Sequence, residues 1–213
     1  MIQWHLESFT AFRWSTILLK TLKYYICNHE ARPGLNGTAI GELRFFQTLA
    51  CLELVHCIVG IVPSSVVLTF FQLFSRVAVV WGVPSHCMNQ SVGMLLAQVG
   101  WSITEVIRYI YYACLLMGSK PYAITYLRYT LFYVLYPIGV LGEQILVYNA
   151  LPLVRATQQW SIFLPNPWNI SFSYYYFGYF GIMLYLSVFP QLYGHMIKQR
   201  QKALYKEKNK KSL

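Results

Sequence analysis

Five stretches of this chain stay apolar for about twenty residues at a time: Leu43–Val62, Val66–Val83, Val92–Met117, Ala123–Leu151 and Phe172–Ile197. A helix of that length reaches across the hydrocarbon core of a bilayer and satisfies its own backbone while doing so. The pattern predicts an all-α fold, a polytopic membrane helix bundle of about six transmembrane helices. The first of the six, over residues 9–26, is expected to be irregular, since Arg13, Lys20 and Lys23 fall within it and its lysines would snorkel toward headgroups. Turn-forming residues separate the segments at Arg32-Pro33-Gly34, Pro63-Ser64-Ser65, Pro84-Ser85 and Gly118-Ser119-Lys120-Pro121, with a longer connection over 152–171. No internal repeat or soluble domain is visible. Residues 1–213 therefore read as a single membrane domain, of which 198–213 is a basic tail.

Charge narrows the function. Only 11% of residues are charged, against about a quarter in an ordinary soluble domain, and the mean hydropathy is +0.42. Lys198, Arg200, Lys202, Lys206, Lys208, Lys210 and Lys211 crowd into the tail, so the net charge of +10 describes mainly that segment. A nucleic-acid partner, which needs basic residues spread over a folded face, is not expected. The positive-inside rule puts the tail in the cytosol, and six spans put the N-terminus there too. Loops 28–42, 84–91 and 152–171 then lie on the far side, together with the N-x-S/T sequons at Asn36, Asn89 and Asn169. The last four residues, Lys210-Lys211-Ser212-Leu213, look like a dilysine retrieval signal of endoplasmic-reticulum membrane proteins. The N-terminus shows no cleavable signal peptide pattern. The five cysteines have no CxxC spacing and read as small packing residues.

Ionisable residues recur inside the apolar segments: Glu53 and His56, then Arg76, then Glu105 and Arg108, then Arg128 and Glu143. Buried charge is costly in a bilayer, and its presence on four helices points to a polar interior cavity. Glu105 and Arg108, at i and i+3, are spaced to pair. On the fifth segment Tyr129, Tyr136 and Glu143 repeat every seven residues and share a stripe, with Arg128, Phe132 and Gly139 on a neighbouring one. A phenol and a carboxyl about 10 Å apart along a helix are suited to moving protons on and off a substrate. Pro137 is expected to kink the helix just after Tyr136, and Gly139 and Gly142 to let a neighbouring helix or a substrate chain approach closely.

These residues resemble the membrane 3-hydroxyacyl-CoA dehydratase family, also called protein-tyrosine-phosphatase-like. Its hallmark, Arg-Tyr and then Tyr-Pro-x-Gly-x-x-x-Glu, stands here as Arg128-Tyr129 and Tyr136-Pro137-Ile138-Gly139-Val140-Leu141-Gly142-Glu143. Further matching stretches are Leu52-Glu53-Leu54-Val55-His56, Gln72 through Ser75-Arg76, Trp101 through Tyr109, Leu164-Pro165-Asn166 and Pro190-Gln191-Leu192-Tyr193. The likeness runs from about Glu42 to Arg200 and departs at the front, where Arg13 replaces a glycine before Trp14. It implies loss of water from a very-long-chain (3R)-3-hydroxyacyl-CoA to give the trans-2-enoyl-CoA, the third step of fatty-acid elongation. It also implies a multi-pass protein of the endoplasmic-reticulum membrane that meets the elongase condensing enzyme and reductases. The catalytic Tyr and Glu map onto Tyr136 and Glu143, with Glu53, Arg76, Glu105, Arg108, Arg128, Tyr129 and Gly139 as supporting site. No metal or cofactor is implied. Arg128 or Arg108 is expected beside Glu143, where a cation would steady charge on the thioester oxygen.

Other chemistries fit the residues less well. His56-Cys57 through Pro63 imitates a phosphatase loop, but Pro63 replaces the arginine that would bind phosphate. Glu53-x-x-His56 copies half of a di-iron helix motif without a second copy. A transporter would be expected to show inverted repeats, which are not evident. The non-enzymatic alternative is an inactive paralogue that scaffolds the elongation complex.

Overall fold

Among the described residues of this computed structural model, eight helical segments follow one another: α1 (Ile2–Cys27), α2 (Pro33–Ile58), α3 (Val66–Gly82), α4 (Ser85–Asn89), α5 (Val92–Leu116), α6 (Tyr122–Thr130), α7 (Phe132–Thr157) and α8 (Tyr174–Lys211). The structure describes residues 2–27, 33–59, 66–89, 91–119 and 121–211. Outside that description lie Pro63, Lys120, Ser212 and Leu213, and the side chains of Asn36, Glu53, His56, Asn89, Lys210 and Lys211. The described part is helical throughout its regular structure, as the apolar runs predict. One isolated bridge, Ile162 to Phe172, pinches the loop between α7 and α8.

Helix α5 is the centre of the bundle, packed most extensively against α7 on one side and α1 on the other. Small residues make the first contact possible. A Cβ on Gly100 would stand 3.1 Å from the Gly139 Cα and from the Leu135 carbonyl oxygen, and one on Gly93 would stand 2.7 Å from the Gly142 carbonyl oxygen. A Cβ on Gly142 would run into the backbone nitrogen of Ala97. Gly93, Ala97 and Gly100 on α5 thus mesh with Gly139 and Gly142 on α7, the close backbone approach that small residues allow between apolar helices. Ser91 ties the same end of the bundle together. Its hydroxyl accepts the Gly93 N–H as the N-cap of α5 at 3.1 Å, and its carbonyl accepts the Tyr25 hydroxyl of α1 at 2.7 Å.

Two sequence expectations take a different form. Residues 9–26 belong to an uninterrupted helix, and their charges find partners: Lys20 pairs with Glu42 of α2 at 2.7 Å, and the Arg13 guanidinium sits 5.8 Å from the Phe46 ring centre. Helix α7 runs on through Pro137, and the interruption in this stretch falls upstream, at Leu131, where α6 gives way to α7. A proline removes the bond to the carbonyl four residues earlier and crowds that turn, so its disturbance is felt on the N-terminal side. The carbonyl thereby released, that of Tyr133, accepts the Tyr193 hydroxyl of α8 at 3.3 Å.

By length and composition one described stretch, Tyr122–Thr157 at 36 residues, is apolar enough to cross a membrane. Helix α3 has 17 residues, and α5 carries Glu105 and Arg108 in its middle. The outside of the bundle is nonetheless apolar, with Phe12, Leu19, Phe45, Leu52, Phe74, Val134, Leu141, Phe180 and Leu186 all exposed.

Candidate active site

Helices α3, α5, α6, α7 and α8 surround a cavity of about 310 Å3. Arg76, Glu105, Arg108, Arg128, Tyr129, Tyr136, Gly139 and Glu143 all line it. Eight of the nine residues singled out in the sequence are thereby brought together; the ninth, Glu53, has its side chain outside the described residues.

Glu143 is the deepest acid, 4% exposed. Its Oε1 accepts the Trp101 indole N–H from α5 at 2.9 Å, while Oε2 has no hydrogen bond among the described residues. Ser75 and Arg76 of α3 and Tyr185 of α8 face the same carboxylate. Tyr136 lies two turns earlier on α7. Its ring stacks on Phe189 of α8, with centroids 5.4 Å apart and planes 9° apart, and Tyr193 lies 6.4 Å away. The stack fixes the ring and leaves the hydroxyl buried, again without a hydrogen bond among the described residues. A carboxylate oxygen and a phenol, both buried and unsatisfied, thus line one cavity.

The cations divide between two levels. Arg76 is the arginine beside Glu143, where Arg128 or Arg108 had been expected. It donates to Glu105 Oε1 at 2.7 Å and lies 5.8 Å from the Trp101 ring centre. Glu105, 3% exposed, also pairs with Arg108 one turn along α5, as their spacing predicts. Two guanidiniums on one carboxylate leave net positive charge in the cavity wall. Arg128 stands about 22 Å nearer the start of the α6–α7 stretch than Glu143, fifteen residues at helical rise. It is held by rings: its guanidinium lies 4.3 Å from the Tyr111 centroid and 4.7 Å from that of Tyr112, and Nη2 donates to the Tyr112 hydroxyl at 3.2 Å. Its Nη1 has no hydrogen bond among the described residues. His195 and Gln199 of α8 line the cavity too, 3.0 Å apart through Nε2 of each.

Sequence reasoning did not single out Tyr185 as a site residue, nor Trp101, Ser75 and Gln72 beyond their place in matching stretches. For α8 a signal existed. Tyr185, Phe189, Leu192, Met196 and Gln199 follow a spacing of four, three, four and three, one face of a helix. Because the tyrosines of α8 are so many, none stood out.

Fold and site together define a helical bundle with a charged, phenol-lined cavity enclosed by an apolar exterior. The family described as protein tyrosine phosphatase-like protein, PTPLA, matches residues 47–206, and the chain belongs to that family. Among curated relatives it is 51% identical over 173 residues to the very-long-chain (3R)-3-hydroxyacyl-CoA dehydratase 2 of Homo sapiens, covering 79% of this chain and 68% of that one. It is 40% identical over 196 residues to dehydratase 1 of Canis lupus familiaris, covering 91% and 78%. The rice dehydratase PASTICCINO 2A is 34% identical over 201 residues, covering 92% and 90%. No solved structure matches the chain.

Proposed function

We propose that this chain is a hydro-lyase that removes water from very-long-chain (3R)-3-hydroxyacyl-CoA, giving the trans-2-enoyl-CoA. One observation carries the mechanism: the Tyr136 hydroxyl and Glu143 Oε2 are buried, lack hydrogen bonds among the described residues, and line the same cavity. Dehydration needs a base for the C2 proton and an acid for the hydroxyl leaving C3, and Tyr136 and Glu143 fill those two roles. The Trp101 N–H aims the carboxylate by holding Oε1, so that Oε2 faces the substrate. Arg76, fixed by Glu105, supplies positive charge where negative charge builds on the thioester oxygen.

The CoA phosphates belong at the end marked by Arg128, His195 and Gln199, which the topology puts near the cytosol, and the reacting carbons belong at depth beside Glu143. The apolar exterior and the four helices of 25 or 26 residues, α1, α2, α5 and α7, support a multi-pass arrangement of six crossings of the endoplasmic-reticulum membrane, with the basic tail cytosolic. Condensing enzyme and reductases of the elongation cycle are the partners this role requires.

Purified protein incubated with a 3-hydroxyacyl-CoA tests the reading. Wild type should form the enoyl-CoA, and Tyr136→Phe and Glu143→Gln should each be slower by about a hundredfold or more, the usual contribution of a general acid or base. Near-normal rates for both variants would exclude the pair as the catalytic groups.

A further inference from the structure

Each dehydration leaves the acid–base pair one proton out of place. Whichever group takes the C2 proton ends protonated, and whichever protonates the departing hydroxyl ends deprotonated. A proton must cross from one to the other before the next substrate can react. Tyr136 and Glu143 are about 10 Å apart along α7 at the backbone, and the Tyr136 hydroxyl and Glu143 Oε2 do not hydrogen-bond each other.

A relay group must accept a proton and donate one, and few neighbours of the pair can. The Trp101 indole is a donor only, and the Arg76 guanidinium has no acceptor lone pair. Tyr193 gives its hydroxyl proton to the Tyr133 carbonyl. Ser75 gives its own to the Gln72 carbonyl at 3.2 Å. Phe189 has no proton to move. Tyr185 remains. It lines the cavity and faces Tyr136, Glu143 and Ser75 together.

We infer that Tyr185 is the proton relay that resets the Tyr136–Glu143 pair after each turnover. In the step, the protonated member of the pair gives its proton to the Tyr185 oxygen as the Tyr185 hydroxyl proton passes to the deprotonated member. One O–H bond breaks and one forms at each junction, and Tyr185 ends neutral as it began. The substrate is consumed before the relay acts, so the relay governs repeated turnover and leaves the first event alone. This inference rests on the dehydratase reading.

The test compares two regimes on purified full-length protein with 3-hydroxyacyl-CoA. With enzyme in excess, Tyr185→Phe should form enoyl-CoA at a rate within about twofold of wild type. With substrate in excess, its kcat should fall by about a hundredfold or more, the low end of what a proton-transfer group contributes, and KM should fall in step so that kcat/KM is unchanged. If Tyr185→Phe does not accumulate folded, 3-fluorotyrosine at position 185 keeps the ring and makes the hydroxyl more acidic. It should alter kcat and leave the single-turnover rate unchanged. An unaltered kcat, or a single-turnover rate that falls in step with kcat, overturns the relay. Inactive wild type, or fully active Tyr136→Phe and Glu143→Gln, would instead overturn the dehydratase reading beneath it.

Discussion

Trp101 shows how much of the site is settled by single atoms. Its N–H to Glu143 Oε1, at 2.9 Å, fixes one oxygen of the deepest acid. Trp101→Phe keeps an aromatic ring and deletes that donor. We expect a loss of about 1–3 kcal/mol in stability and a clear fall in kcat, read by thermal unfolding in detergent and by enoyl-CoA formation. Unchanged stability and rate would show that the indole only fills space. Glu105 is the harsher case, because Arg76 and Arg108 both rely on it. Glu105→Ala takes the shared carboxylate away from two guanidiniums and should cost about 3 kcal/mol or more, whereas Glu105→Asp should retain part of the network. Equal melting temperatures for Glu105→Ala and wild type would refute that weight. Much at this scale was legible beforehand, since a carboxylate or guanidinium in an apolar run needs a polar cavity to face. Which arginine would sit beside Glu143 was not, because Arg76 reaches it from a different helix, and no spacing within one helix encodes that.

The α5–α7 seam is where sequence becomes position for the stripe that carries Tyr136 and Glu143. A methyl group at Gly142 meets the backbone of Ala97, whereas one at Gly181 meets nothing within 4 Å. Gly142→Ala should therefore destabilise the protein by about 1–3 kcal/mol, as overpacking does. Gly181→Ala, in an open part of α8, should be neutral or stabilising by up to about 1 kcal/mol through helix propensity. Thermal unfolding of the two variants side by side is the check, and equal melting temperatures would mean that the seam is not tight. Gly139 and Gly142 could be read as small-residue positions from sequence. Their partners on α5 could not, since Gly93, Ala97 and Gly100 gain meaning only once the facing helix is known. Element ends show the same limit. Helix α3 closes at Gly82 and α5 opens at Val92, close to the apolar boundaries. Helix α2 instead starts at Pro33, well before the apolar run, because proline is at home in a first turn. Helix α8 runs on to Lys211, since lysine, glutamine and glutamate favour helix as readily as leucine does.

For the whole molecule, the central expectation concerns sidedness. With six crossings, the loop around Lys120 and the tail face the cytosol, and the 158–173 loop faces the lumen. Single cysteines placed at Ser119 and Ser171 in microsomes should differ: the first reacts with an impermeant maleimide at once, the second only after detergent. The opposite order would overturn the topology and with it the cytosolic mouth of the cavity. The helical architecture itself was written in the length of the apolar runs. How helices from distant parts of the chain converge on one cavity was not, because periodicity gives each helix a face but no neighbour. One consequence reaches beyond this chain. The Tyr193 phenol caps the Tyr133 carbonyl that Pro137 leaves open, so the turn ahead of Tyr136 is completed by a helix sixty residues further on. Grafting Arg128 through Glu143 into a foreign scaffold would thus carry over the letters of the motif with one carbonyl left open, unless the donor of that distant hydroxyl were transplanted too.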